Sequence, residues 1–137
     1  MMLCDTSVLV DIDRGGIDEK VARLDEEGRH AISSVTVTEL YLGVEKGYER
    51  GTDAYEQAVV GLERLLSRFE QFDVTRPVGV NAARIVADLQ ADGERFDDLH
   101  DVYIAATARS EELPVLTANV EHFERIDDVR VVDWEGF

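Results

Sequence analysis

The sequence has few of the residues that build disulfides, thiolate metal centres or membrane spans. Cys4 is the only cysteine among 137 residues, which excludes an internal disulfide and any cysteine-rich metal site. Its place in a short apolar run predicts a buried thiol that packs as a small hydrophobic side chain. No apolar run approaches the length of a membrane span, and the N-terminus lacks the basic flank and long apolar region of a signal peptide. We therefore expect a soluble, cytoplasmic protein.

Basic residues are also scarce. The chain has 14 Lys and Arg against 30 Asp and Glu, a formal net charge of −16, and Lys20 and Lys46 are its only lysines. Such a surface repels nucleic acid at long range, so RNA binding would rely on local cations, bound metal or high salt. An acidic, lysine-poor composition is typical of a halophile, where molar salt screens charges within about 3 Å. The negative charge is then a sign of the salt concentration around the protein and says little about a binding partner.

The length and the apolar pattern predict the fold class. A chain of 137 residues is the size of one ordinary domain, so we expect a single domain over residues 1–137. Helical spacing is clearest in the apolar stripe from Tyr55 to Phe69, and short apolar strands alternate with the helices. This alternation predicts an α/β sandwich with a mostly parallel sheet.

The stretch from Met2 to Asp11 predicts a strand, an acidic corner and a helix. Asp5 stands where the apolar run ends, and Thr6 or Ser7 is a suitable helix N-cap. Ligands gather at the carboxyl ends of strands in open α/β sheets, so Asp5 is a candidate for chemistry. The structural alternative is that Asp5 only closes the strand as a turn residue.

Other polar residues stand at the ends of apolar elements. Glu39 lies in the first turns of a helix, Asp98 and Asp101 precede the almost wholly apolar segment 102–108, and Asn119 follows a strand. Capping explains each acid separately, with about 0.3–1 kcal/mol from the helix dipole. A parallel sheet would bring them to one edge, where Mg²⁺ or Mn²⁺ relieves their repulsion. Such a site hydrolyses phosphodiesters with a metal-activated water.

Four blocks of the sequence together resemble the PIN-domain family, specifically the VapC-type toxin ribonucleases of toxin–antitoxin pairs. They are Leu3–Leu9, Ser33–Leu40 with Gly43, Asp101–Ala108, and Leu113–Asn119 followed by His122 and Phe123, in the family's order. The resemblance implies a three-layer α/β/α sandwich and a Mg²⁺-dependent endoribonuclease in which Mn²⁺ can substitute. It also implies an RNA substrate, a homodimer, and a cognate VapB-like antitoxin whose peptide covers the cleft.

The resemblance also implies roles for individual positions. Asp5, Glu39 and Asp101 match the family's acidic metal site, and Thr6 or Ser7 matches the hydroxyl that steadies the first Asp.

Asn119 stands where many relatives carry a fourth acid. This departure weakens the metal site and puts a second metal in doubt, although an Asn carbonyl can still position metal or water. Asp98 is the candidate for a replacement carboxylate.

The histidines and arginines receive weaker assignments. His100 is predicted to be an exposed loop histidine, with a general acid as the alternative, and His30 and His122 have no spacing that suggests zinc. Arg14 and Arg95 are candidate phosphate contacts, because a guanidinium can grip phosphate even on an acidic protein.

Two rival functions remain at this point. A haloacid-dehalogenase-like phosphatase would use Asp5 as nucleophile, but Ser7 occupies the place of its second acid. A catalytically degenerate module of the same fold would hold Mg²⁺ without cleaving RNA. Trapping of an aspartyl-phosphate would support the first, and metal binding without cleavage would support the second.

Overall fold

A computed structural model describes residues 1–95 and 98–137, in which strands and helices alternate. The strands are β1 (Leu3–Cys4), β2 (Ala31–Ser33), β3 (Glu70–Phe72), β4 (Val115–Thr117) and β5 (Val131–Asp133). The helices are α1 (Thr6–Arg14), α2 (Asp18–Glu26), α3 (Ser34–Gly47), α4 (Asp53–Leu66), α5 (Arg76–Ala91), α6 (Leu99–Glu111) and α7 (Val120–Glu124). Phe96 and Asp97, which belong to the acid-rich loop predicted before residue 102, lie outside the described residues.

The strands form one sheet in the order β3-β2-β1-β4-β5, and every neighbouring pair is parallel. The predicted mostly parallel sheet is therefore confirmed. From β1 the chain moves outward through β2 and β3, then returns to place β4 on the other side of β1. The carboxyl ends of β1 and β4 consequently flank the point where the winding reverses, which is where open α/β sheets form a crevice.

The sheet carries a hydrophobic core on each face. Leu3, Ala31 and Val115 pack with α5, α6 and α7, whereas Cys4, Ile32 and Leu116 pack with α1, α2 and α4. Neighbouring strand residues point to opposite faces, so each short strand serves both cores. This arrangement confirms the three-layer α/β/α architecture that the resemblance implies.

Two features of these cores, Cys4 and helix α6, can be compared with the sequence predictions. Cys4 is fully buried, and desolvation raises the pKa of its thiol to about 12, as expected for a packing residue. Helix α6 is buried through its middle, where every residue from Val102 to Ala108 except the half-buried Tyr103 is buried, in keeping with the apolar sequence of this segment.

Several element boundaries differ from the sequence expectations. Helix α1 begins at Thr6, so Asp5 itself is the N-cap residue, and α3 is capped by Ser33, whose hydroxyl accepts from the Val35 amide at 3.3 Å. The sequence predicts a weak strand over residues 72–74, whereas strand β3 ends at Phe72. These one- or two-residue shifts reflect local hydrogen bonds at element ends, which apolar periodicity does not encode.

Helix α6 begins earlier than its apolar segment. Asp98 caps it by accepting from the amide of His100 at 2.8 Å, so the helix starts at Leu99. His100 and Asp101 are therefore in its first turn and not in a loop. Among the helices of the described residues, none combines the length and apolar character that crossing a membrane would require.

Candidate active site

Asp5 lies at the reversal point of the sheet and is held by side chains from two elements. It is 3% exposed, and its Oδ2 accepts hydrogen bonds from Ser7 Oγ at 2.9 Å and Thr117 Oγ1 at 2.8 Å. Ser7 Oγ in turn accepts from the amide of Ala118 at 3.1 Å, which ties α1 to the end of β4. No hydrogen bond from the described residues reaches Oδ1 of Asp5, so that oxygen is available to a ligand.

Glu39 is positioned by threonines. Thr6 Oγ1 donates to Glu39 Oε1 at 2.8 Å, and Thr36 Oγ1 lies 3.0 Å from Thr6 Oγ1. Of the two hydroxyls proposed to steady Asp5, Ser7 therefore does so, whereas Thr6 serves Glu39. Burial raises the pKa of the Glu39 carboxyl, and the charges of Asp5 and Asp98 add to this, while Thr6 and His100 oppose it.

Asp101 pairs with a histidine from a different helix. Its Oδ2 lies 2.8 Å from Nδ1 of His122, and its side chain is 13% exposed. Burial raises the pKa of Asp101, with contributions from the charges of Asp5 and Asp98, and the hydrogen bond from His122 acts in the opposite direction. No signal in the sequence indicated this pair, which forms because α7 packs against α6.

His100 and Asp98 complete the acidic edge. Nδ1 of His100 lies 3.6 Å from Asp98 Oδ1 and 3.8 Å from Glu39 Oε2. One ligand atom from each of these residues falls within 4.8 Å of the others. The expected loop position of His100 is wrong, since the helix cap at Asp98 places it in the first turn of α6, where its side chain is 41% exposed and faces Glu39.

Asn119 is linked to Asp5 through Thr117, whose Oγ1 donates to Asp5 Oδ2 and accepts from the backbone amide of Asn119. Its amide donates to Thr117 Oγ1 at 2.9 Å, but its side chain is exposed and lines a cavity of about 360 Å³ that also touches His122. Its predicted role at the metal stays a prediction.

The three predicted acids are held in the same way. Each has one oxygen held by a protein donor: Asp5 by Ser7 and Thr117, Glu39 by Thr6, and Asp101 by His122. Burial raises the pKa of both Glu39 and Asp101, and the negative charge of Asp5 contributes to both shifts. Hard oxygen ligands under mutual repulsion fit a divalent cation such as Mg²⁺ or Mn²⁺.

The sequence-family model of the PIN domain matches residues 2–129 of the chain. The chain belongs to the PIN-domain family. It is 30% identical to ribonuclease VapC2 of Haemophilus influenzae over 133 residues, covering 96% of each chain. It is 35% identical to the tRNA(fMet)-specific endonuclease VapC of Salmonella typhimurium over 106 residues, covering 77% of this chain and 76% of that one.

Solved structures agree with this assignment. A DNA-bound VapBC of Salmonella typhimurium superposes with a TM-score of 0.84 at 29% identity, covering 98% of this chain and 99% of that one. FitAcB of Neisseria gonorrhoeae gives a TM-score of 0.80 at 30% identity over the full length of both chains. The resemblance to VapC-type PIN domains is confirmed.

A groove leads away from the acids of this PIN domain between α1, α3 and α4. It has a volume of about 670 Å³ and runs from Thr6 and Glu39 to Leu62 and Leu65, with Arg14 at its rim. Arg14 lies 3.9 Å from Asp11, while the carbonyl of Arg95 accepts from Arg125. Phosphate binding by Arg14 and Arg95 stays a prediction.

The remaining histidine is structural. His30 is buried, Nδ1 accepts from the Met2 amide at 3.0 Å, and Nε2 lies 3.1 Å from the carbonyl oxygen of Leu24.

The phosphatase alternative also loses its basis. Membership of the PIN-domain family argues against it, and Ser7 uses its hydroxyl to hold Asp5 where that chemistry needs a second acid.

Proposed function

We propose that this chain is a VapC-type toxin, a Mg²⁺-dependent endoribonuclease whose single domain spans residues 1–137. The observation that carries the proposal is the position of Asp5 at the end of β1, directly before Thr6, whose hydroxyl holds Glu39 of α3, with the Asp101–His122 pair in the first turn of α6. The ribonuclease names of the relatives support the same reaction.

We propose a role for each side chain of the site. Asp5, Glu39 and Asp101 hold the metal, with Asp98 as a further carboxylate, and Asn119 positions metal or water through its carbonyl. Ser7 and Thr6 keep Asp5 and Glu39 oriented, as partners of metal ligands commonly do. When bound, Mg²⁺ or Mn²⁺ activates a water and neutralises charge that develops on the phosphodiester.

Cleavage of labelled total RNA in high KCl tests this function. We expect discrete fragments with Mg²⁺ or Mn²⁺ and none with EDTA. Asp5→Asn and Asp101→Asn should each lower cleavage at least ~100-fold, because each removes a charge that holds the metal. The exposed Asp88→Asn on α5 is the matched control and should cleave normally.

Circular dichroism separates loss of the site from loss of the fold. Both active-site variants should keep the native spectrum, since removal of one like charge from an acidic cluster does not destabilise the metal-free protein. Full activity in both variants would refute the site. A folded, metal-binding protein that cleaves no RNA would instead support the degenerate-module alternative.

We also infer a VapB-like antitoxin partner, because the structural relatives are VapBC complexes. The groove between α1, α3 and α4 has an apolar wall formed by Leu40, Val44 and Leu62, which suits an apolar helix of that partner. A cation on the same peptide would meet the carboxylates at the end of the groove near Glu39.

A homodimer is the expected assembly. Helices α5 and α6 share a surface pocket lined only by uncharged residues, among them Ala83, Val86 and Tyr103. On a chain of net charge −16, an uncharged face is where two copies meet with least repulsion. Sedimentation equilibrium in high KCl should give twice the mass of the chain, and a monomer at all concentrations would contradict the dimer.

A further inference from the structure

The two histidines at the acidic edge stand at different distances from their carboxylates. Nδ1 of His122 is 2.8 Å from Asp101 Oδ2, which is a hydrogen-bond distance. Nδ1 of His100 is 3.6 Å from Asp98 Oδ1 and 3.8 Å from Glu39 Oε2, beyond hydrogen-bond range for both oxygens. The imidazole of His100 thus faces two carboxylates without a hydrogen bond to either.

The His100 distances match those between ligands of one ion. Two ligand atoms bound to the same ion at about 2.1 Å lie about 3.0 Å apart at right angles and about 4.2 Å apart in line. Both spacings of His100 fall between these limits, and the ligand atoms of Glu39, Asp98 and His100 lie within 4.8 Å of one another. A cation can therefore enter with little movement of the three side chains.

The helix start holds this arrangement in place. Asp98 caps α6 through the amide of His100, which fixes the backbone of His100 relative to that carboxylate. Glu39 comes from α3 and is fixed by Thr6 of α1. Two independently anchored elements thus present an imidazole and two carboxylates to one point.

We propose that the imidazole of His100 is a ligand of the active-site metal and that this nitrogen makes the site favour Mn²⁺ over Mg²⁺. The inference rests on the proposed function, because it adds a ligand to that same site. Mg²⁺ takes oxygen ligands almost exclusively and sheds water reluctantly, whereas an imidazole nitrogen suits transition metals. His122, whose Nδ1 is engaged with Asp101, orients that carboxylate and does not bind the ion.

Pulsed electron paramagnetic resonance of the Mn²⁺-loaded protein tests the assignment directly. The unmodified protein should show electron spin-echo modulation from an imidazole nitrogen coupled to Mn²⁺. His100→Gln should abolish this modulation, and the matched control His122→Gln should retain it. Modulation that is absent from the unmodified protein, or that His122→Gln removes and His100→Gln keeps, would overturn the assignment.

Titration calorimetry tests the selectivity. We expect His100→Gln to weaken Mn²⁺ at least ~10-fold, since even outer partners of metal ligands contribute 10–100-fold, and to weaken Mg²⁺ less. Equal losses for the two ions would contradict the preference.

These measurements also separate this inference from the proposed function. If Asp5→Asn and Asp101→Asn abolish Mn²⁺ binding but the bound ion shows no nitrogen coupling, only the role of His100 fails. If the unmodified protein binds neither ion, the proposed metal site fails as well.

Discussion

Neutral hydroxyl groups set the geometry of the acidic site at the scale of single residues. Ser7 and Thr117 both donate to one oxygen of Asp5, and Thr6 donates to one oxygen of Glu39. Such donors stabilise the ionised form that burial disfavours, without adding a positive charge that would compete with a metal. The acids are consequently held ready for a cation but are not neutralised.

The burial of Glu39 and Asp101 predicts that the stability of the metal-free protein depends on pH. Burial raises the pKa of Glu39 and Asp101 above their ordinary values of 4.5 and 3.8, so the folded state binds these protons more tightly than the unfolded state. The free energy of unfolding should therefore fall as the pH rises from the ordinary values through the raised ones. Below the ordinary pKa values both carboxyls are protonated in either state, so burying them costs no charge desolvation. Above the raised pKa values both are ionised, and the full desolvation cost lowers the free energy of unfolding.

Glu39→Gln isolates this contribution. The variant should be more stable than the unmodified protein at pH 7, on the order of 1 kcal/mol, and the difference should vanish at acidic pH where Glu39 is protonated. Urea denaturation at several pH values in EDTA measures it, with the exposed Glu56→Gln on α4 as control. A stability difference that does not change with pH would contradict the linkage.

At the scale of elements, α4 explains both packing and the groove. Leu62 and Leu65 are buried, and Tyr55 and Ala58 are half-buried, whereas Val60 is 56% exposed. The apolar stripe predicted from Tyr55 to Phe69 therefore faces the protein, as helical spacing requires. One side of α4, together with α1 and α3, forms the groove that ends at Glu39.

A substitution on α4 tests whether the antitoxin binds in this groove. Ala58→Arg puts a charged side chain into the groove and should weaken the complex with the cognate antitoxin by ~10-fold or more, while RNA cleavage persists. Ala54→Arg lies on the exposed side of α4, outside the groove, and should bind normally. Co-purification and calorimetry measure the affinities, and an unchanged affinity for Ala58→Arg would place the antitoxin elsewhere.

At the scale of the whole molecule, the charge governs stability. The net charge of −16 is spread over a surface on which the observed ion pairs are few, such as Arg68 with Asp25 at 3.0 Å. Unscreened repulsion of this size destabilises the compact state. The same acidity repels RNA, so we expect salt to support the fold and to permit the approach of the proposed RNA substrate.

The salt dependence of folding is therefore a prediction for the whole chain. Circular dichroism melts should show a midpoint that rises with KCl from millimolar to molar concentrations, because the screening length shrinks from about 30 Å at 0.01 M to about 3 Å at 1 M. We expect the largest gain below about 1 M, where screening changes most. A midpoint that does not change with KCl would contradict the halophilic interpretation of the composition.

The sequence could predict much of the fold because its local signals agree. The apolar strands, the α4 stripe and the almost wholly apolar segment 102–108 of α6 each specify one element, and their alternation specifies a parallel sheet. Asp5 could be chosen as a site residue for the same reason, since the end of a strand is visible in the sequence. Element ends such as Leu99 could not be placed, because the cap at Asp98 outweighs apolar periodicity.

The sequence by itself determined the α/β class and the buried Cys4, and it predicted Asp5, Glu39 and Asp101 as candidate site residues. Only the tertiary structure decided which groups support them. Thr117 reaches Asp5 because β4 lies beside β1, His122 reaches Asp101 because α7 folds over α6, and His100 faces Glu39 because α3 and α6 meet. These partners are 21 to 112 residues apart, so no local pattern of composition or spacing records them.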